Sequence, residues 1–168
     1  YNVFLEIVSA NTLPKEGDNN AGAPRQRKDM AATDNAAEQV AHIAEKIRAG
    51  KTTLGIEFGS TRIKAVLIDD NFQTIASGDY SWASHLEDGL WSYTTEEIWG
   101  GLQSAYASMA NDVETAYGEK LTHVGHIGFS AMMHGYLAFD EAGELLVPFR
   151  TWQNTNTSEA HKKLSELF

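Results

Sequence analysis

From Thr53 onward, apolar and polar positions follow the two-residue period of strands, then the three-to-four spacing of a helix. Thr53–Phe58, Ile63–Asp69 and Gln73–Trp82 are β-rich runs. The short polar turns Gly59-Ser60-Thr61-Arg62 and Asp69-Asp70-Asn71 part them, which predicts an antiparallel meander. A helix follows. Thr94 and Glu97 form a capping box, Ile98, Leu102, Tyr106, Met109, Val113 and Ala116 recur at helical spacing, and Gly118 closes it. Gly100 and Gly101 inside it cost about 1 kcal/mol each in propensity, and read as places of close packing against the sheet. Val124–Phe129 then predicts a buried strand, and Tyr136–Asp140 and Leu145–Phe149 two more around a turn at Glu141–Gly143. Ser158–Phe168 starts a last helix. The class is α/β, without the strict alternation of a doubly wound sheet.

The first 50 residues carry a different pattern. Residues 11–29 hold Pro14, Gly17, Asp18, Asn19, Asn20, Gly22 and Pro24, then Arg25, Arg27 and Lys28, with no apolar period. Residues 1–29 are therefore expected to be a linker-like extension, with Met30 as an alternative start. Residues 30–52 supply a short helix and a lead-in. The helix is predicted from Asn35 to Arg48: Asn35 and Glu38 make a variant capping box, Val40, Ile43 and Ile47 share a face, and Gly50 ends it.

Composition narrows the function classes. Of 168 residues, 42% are hydrophobic, enough for a real core. The net charge is −10, and most of it belongs to residues 51–168, with 7 basic against 16 acidic side chains. Such a balance opposes nucleic-acid binding, which needs basic surface, yet leaves room for a local anion site built from backbone N–H groups. Without cysteine there is no disulfide framework, no thiolate zinc site and no thiol catalysis. No apolar run is long enough to span a bilayer, so no membrane partner is expected, and the cysteine-free composition fits a cytoplasmic protein.

Two segments carry candidate chemistry. In Leu54-Gly55-Ile56-Glu57-Phe58-Gly59-Ser60-Thr61-Arg62-Ile63-Lys64, strand alternation turns Glu57 away from the core side of Leu54, Ile56 and Phe58. Its neighbours Gly55 and Gly59 have no side chains. Two hydroxyls follow, and Lys64 reaches back from the next strand. A carboxylate, free amides, hydroxyls and one cation around a small turn suit a polyphosphate with its metal; the same pattern also fits an ordinary hairpin with a surface Glu. In Ile127-Gly128-Phe129-Ser130-Ala131-Met132-Met133-His134-Gly135, a strand ends in small residues and presents His134, as a ligand site or as a capped core histidine. His123 and His126 fall on opposite strand faces and cannot share a metal. Trp82, Trp91, Tyr93 and Trp152 suit either sugar stacking or packing, with Trp82 read as packing. Two motifs are set aside. Ala49-Gly50-Lys51-Thr52-Thr53 lacks the first glycine of a P-loop and runs helix to strand, and Asn156-Thr157-Ser158 is a glycosylation sequon without a secretion signal.

Together these segments resemble the N-terminal part of the FGGY family of ATP-dependent carbohydrate kinases, close to the xylulose and ribulose kinases. The similarity runs from the Leu54–Lys64 segment through Gly89-Leu90-Trp91 and the Met133-His134-Gly135 motif to Pro148–Asn154. It covers about residues 53–168. It implies a ribonuclease H-like fold of the actin, hexokinase and Hsp70 type: a mixed sheet opening with a three-strand antiparallel meander, flanked by helices and incomplete here. It implies ATP and Mg2+ as cofactors and a ketopentose or polyol as the small-molecule substrate, with a homodimer open to the full-length enzyme.

The resemblance also assigns roles. Glu57 falls where the family has the Asp linked to magnesium and phosphate, the metal being held through water. Gly59, Ser60, Thr61 and Lys64 fall in the phosphate hairpin. Met133, His134, Trp91 and Asn154 fall on the sugar side. Ala131-Met132 replaces the family's Gly-Gln, and Asn154 and Asn156 stand where xylulose kinases commonly have Asp and Arg. The family's general base and adenosine site lie further along a longer chain, so these 168 residues alone are expected to be inactive. An actin- or Hsp70-like ATPase and a non-catalytic sugar-binding module are the alternative functions.

Overall fold

The computed structural model describes residues 26–168, so most of the expected extension over 1–29 lies outside the described residues. A helix, α1, spans Gln26–Arg48. It begins nine residues before the predicted start, and Asn35 lies inside it rather than at its cap. The alanines at 31, 32, 36 and 37 are the strongest helix formers and carry the helix through Asn35. Gly50, at φ 65°, ends the segment as expected.

Three strands follow: β1 (Thr52–Phe58), β2 (Arg62–Asp69) and β3 (Thr74–Ser81). They pair antiparallel as the predicted meander. A small hairpin, β4 (His85–Glu87) with β5 (Leu90–Ser92), was not expected. Its sequence mark is Asp88-Gly89, both at positive φ, the pair that a tight hairpin turn favours. Helix α2 spans Thr95–Tyr117, with the reciprocal Thr94–Glu97 capping box and a left-handed Gly118. It crosses the sheet and delivers β6 (His126–Ala131) parallel to β1. The four-stranded order is β3-β2-β1-β6. Helix α3 (Ser158–Ser165) closes the described chain.

The core lies between α2 and the sheet. Ile63, Ala65 and Leu67 of β2 meet Ala105, Met109 and Val113 of α2, with Leu54, Ile56, Ile75 and Ile47 around them. Gly101 allows this approach: a Cβ there would stand 2.7 Å from Ile63 Cδ1 and 2.8 Å from Tyr80 Cδ1. Gly100, by contrast, faces open space. The buried face of α2 is centred on Gly101, Ala105, Met109 and Val113, and Tyr106 of the predicted stripe is exposed.

Two expectations are corrected. Strand β6 is not buried: Ile127 and Phe129 are 55% and 68% exposed, because β6 pairs only with β1 and no described element covers its faces. The strands expected at 136–140 and 145–149 reduce to two isolated bridges, Tyr136 with Arg150 and Phe139 with Leu145. They have no neighbouring ladder to extend them.

A polar knot joins α1 to the sheet. Lys46 Nζ lies 2.9 Å from Asp69 Oδ2 and also bonds Asp70. Asp69 in turn accepts the N–H groups of Asn71 and Gln73, each at 2.9 Å, which forms the β2–β3 turn. Burial would raise the Asp69 pKa, but the Lys46 ammonium and these two amides outweigh it and hold the carboxyl below its ordinary value. Hydrogen bonds from Lys46 hold Asp70 low as well, and those carboxylates, Asp70 first, raise Lys46.

Candidate functional site

The turn between β1 and β2 gathers five of the residues singled out in the sequence. Antiparallel register sets Glu57 opposite Lys64, and Lys64 Nζ stands 3.1 Å from Glu57 Oε2. Both side chains are about one-third exposed, so the pair faces solvent rather than the core. On the other side of β1, Glu57 is in register with Ser130 of β6. The Gly59 N–H donates to Arg62 O at 3.0 Å, closing the turn. A Cβ at Gly59 would meet that same carbonyl oxygen at 2.9 Å, so the tight turn requires glycine. Ser60 and Thr61 sit exposed at its tip.

Behind the turn stands an aromatic pair that sequence reading assigned to packing or left open. Trp82 and Tyr93 stack with centroids 4.2 Å apart. Trp82 Nε1 donates to Gly59 O at 2.8 Å, and Tyr93 Oη to Ser60 O at 2.6 Å. Burial raises the Tyr93 pKa, so the phenol stays a donor. Nothing in the periodicity could reveal these bonds, since the partners are over 20 residues apart in sequence.

The second segment leaves the sheet beside the first. Parallel pairing sets Phe58 opposite Ala131, so the Gly59 turn and the Met133-His134 segment emerge from the same ends of adjacent strands, about 4.8 Å apart. The Met132 N–H donates to Phe58 O at 2.9 Å and ties the two exits together. His134 adopts φ 60°, a left-handed conformation uncommon in non-glycine residues and found at ligand sites.

His134 lines a cleft of about 480 Å³ together with Tyr136, Arg150, Trp152, Asn154 and Asn156. Thus His134 and Asn154, distant in sequence, share one cavity. Met133 is 72% exposed and does not line that cleft, and neither does Trp91. Trp91 is reached through its backbone: Asn154 Oδ1 accepts its N–H at 2.8 Å, and Asn154 Nδ2 donates to its carbonyl at 2.7 Å. Asn154 is therefore a clamp on the β4–β5 hairpin as well as a wall of the cleft. A smaller apolar cavity of about 260 Å³, lined by Phe58, Trp82, Met132 and Phe149 among others, lies beside both exits. Arg150, missed in the sequence, has its Nε buried with no partner.

A three-strand meander, a crossing helix and a fourth strand parallel to the first define the opening of a ribonuclease H-like domain. The model of the FGGY family of carbohydrate kinases, N-terminal domain, matches residues 52–168, and the chain belongs to that family. Among its relatives is the gluconokinase of Bacillus subtilis (strain 168), 30% identical over 116 residues, which cover 68% of this chain and 21% of the gluconokinase. The xylulose kinase of Klebsiella pneumoniae is 26% identical over 113 residues, 67% of this chain and 22% of that enzyme. The chain thus spans about a fifth of the length of these relatives. Among solved structures, a ligand-bound xylulose kinase from Lactobacillus acidophilus aligns with a TM-score of 0.58 at 19% identity, over 69% of this chain and 22% of that one. The glycerol kinase of Plasmodium falciparum with ADP aligns with a TM-score of 0.56 at 20% identity, over 70% and 23%. Both share the fold.

Proposed function

We propose that this chain is the sugar- and phosphate-binding portion of a cytoplasmic ATP-dependent carbohydrate kinase that phosphorylates a hydroxyl of a ketopentose or polyol. The observation that carries the reading is the shared exit: the Glu57–Lys64 turn and the His134 segment leave adjacent parallel strands at one edge of the sheet. That arrangement suits a phosphate donor and a hydroxyl acceptor held side by side.

The turn fits magnesium-ATP by its donor set. Lys64 occupies one side of the Glu57 carboxylate and leaves Oε1 for a hydrated divalent ion. A lone carboxylate accords with magnesium, which keeps several waters and takes further ligands from phosphate. When bound, magnesium-ATP supplies the phosphoryl group and neutralises its charge. In this reading the Ser60 and Thr61 amides and hydroxyls bind phosphate oxygens, Lys64 adds a positive charge, and Glu57 orients the metal's water. His134 and Asn154 orient sugar hydroxyls in the cleft. The group that takes the hydroxyl proton belongs to the longer protein, so the 168-residue chain binds ligands without turnover, and a homodimer is part of the proposal only for the whole enzyme.

A second reading of the substrate rests on Arg150. Arg150 lines the His134 cleft and carries a fixed positive charge on a planar guanidinium, which suits a carboxylate, so a sugar acid competes with the neutral sugars.

Calorimetric titration of the chain with magnesium-ATP, xylulose, ribulose, xylitol and gluconate tests these readings. Expected are magnesium-ATP binding, binding of one sugar class, and no sugar phosphate in a coupled assay. Gluconate binding with no neutral sugar would favour the second reading. Binding of none of the sugars, or turnover by the chain alone, would contradict the proposal.

A further inference from the structure

The stacked pair Trp82–Tyr93 has a role beyond packing. Three consecutive carbonyls of the Gly59 turn all accept hydrogen bonds from these two residues. Gly59 O takes the Trp82 indole N–H at 2.8 Å, Ser60 O takes the Tyr93 hydroxyl at 2.6 Å, and Thr61 O takes the Trp82 backbone N–H at 3.1 Å. In a trans peptide the C=O and the following N–H point in opposite directions. Holding the three carbonyls toward the pair therefore turns the N–H groups of Ser60, Thr61 and Arg62 away from it. Trp82 packs against the core that α2 forms with the sheet and Tyr93 stacks on it, so the pair stands on the helix side of the sheet. Glu57 and Lys64 alternate to the opposite side from the core residues Ile56 and Ile63, where the helix packs.

We propose that Trp82 and Tyr93 are positioning residues that fix the peptide polarity of this turn, so that its amides present a preformed anion cradle on the Glu57 side. The proposal rests on reading the turn as the phosphate site. Successive amides aimed to one side form a concave anion site, and fixing them before the ligand arrives removes the ordering cost at binding. The same unit links the two halves of the site. Tyr93 follows β5, whose Trp91 is held by Asn154, and its ring also lies 5.7 Å from that of Phe149. A continuous path thus runs from the sugar cleft through the β4–β5 hairpin to the phosphate turn.

Two substitutions remove the donors and keep an aromatic ring at each position: Tyr93→Phe loses only the hydroxyl, and Trp82→Phe loses the indole N–H and trades the indole for a smaller phenyl. The first readout is the backbone 13C carbonyl shift in the chain without ligand. Tyr93→Phe is expected to move Ser60 and spare Gly59, and Trp82→Phe to move Gly59. The second is the magnesium-ATP affinity read from the Ser60 and Thr61 amides, expected to weaken about fivefold per variant, the equivalent of one hydrogen bond. Ligand affinity at the His134 cleft serves as the control and is expected to change less than twofold in Trp82→Phe. Unmoved carbonyl shifts in both variants, or moved shifts with unchanged magnesium-ATP affinity, would overturn the proposal. If the wild-type amides ignore magnesium-ATP while the carbonyls still move in the variants, the phosphate reading has failed and the orienting bonds have not. Should one variant not fold, the other carries the same two readouts.

Discussion

Placing a methyl group at Gly78 tests the helix–sheet contact that positions the whole site. Gly78 lies on β3 beneath α2, and a Cβ there would collide with Ala105 O and Met109 N, both backbone atoms, and stand 2.8 Å from Ser108 Cβ. Helix backbone cannot swing aside as a side-chain tip can, so Gly78→Ala must lift α2 from β3. Overpacking of this kind costs about 3 kcal/mol, the upper end of the usual range. For a domain of this size that is a fall of roughly 10 °C in Tm. Two neighbouring glycines serve as internal controls. Gly101→Ala gains about 1 kcal/mol of helix propensity but presses on Ile63, which is fully buried, so a smaller net loss is expected. Gly100→Ala meets open space and gains that same propensity, about 1 kcal/mol, without a clash. Thermal and urea unfolding followed by far-UV circular dichroism would rank them Gly100→Ala above wild type, then Gly101→Ala, then Gly78→Ala. A Gly78→Ala variant as stable as wild type would refute the packing described for α2.

Other outcomes follow from the same geometry. Glu57→Gln removes a partly exposed ion pair and should change stability by less than about 1 kcal/mol, while magnesium-ATP affinity by calorimetry falls at least tenfold. Asp69 and Asp70 are held below their unfolded values, so their contribution is full above an unfolded carboxylate pKa of about 3.9 and disappears as pH falls through the depressed folded values. Lys46 is held high, so its share is complete below about 10.4 and is lost as pH rises through its raised value. The share of the urea midpoint that these three groups supply should accordingly be constant between these limits, and Asp69→Asn should shrink the acid-side decline. Asn154→Ala removes both bonds to the Trp91 backbone, and amide exchange at Trp91 should quicken several-fold while α2 is unaffected.

Much of the fold was legible because local rules and tertiary packing agree. Thr94, Glu97 and Gly118 mark α2 through bonds made within a few residues, and the alternation of Leu54, Ile56, Ile63, Ala65 and Leu67 records one buried face. The same alternation placed Glu57 and Lys64 together, since a two-strand hairpin makes sequence neighbours spatial neighbours. Strand β6 misled for a related reason: Ile127 and Phe129 are apolar, but burial depends on what covers a strand, and no described element does. The stretch from Tyr136 to Phe149 has strand composition without a ladder to join. The roles of Trp82, Tyr93 and Asn154 were illegible because each depends on a hydrogen bond to a backbone atom far away in sequence. Register and distance reveal such bonds, and composition does not.

The central claim is that one edge of this sheet holds a phosphate site and a sugar site side by side. A two-ligand amide-shift map of the uniformly 15N-labelled chain tests it most directly. Magnesium-ATP should move the amides of residues 57–64, the sugar bound in calorimetry should move those of 133–136 and 150–156, and adding both should produce the two sets together. Shifts for either ligand at α1, or on the outer face of α2, with the two sheet-edge segments silent, would contradict the account.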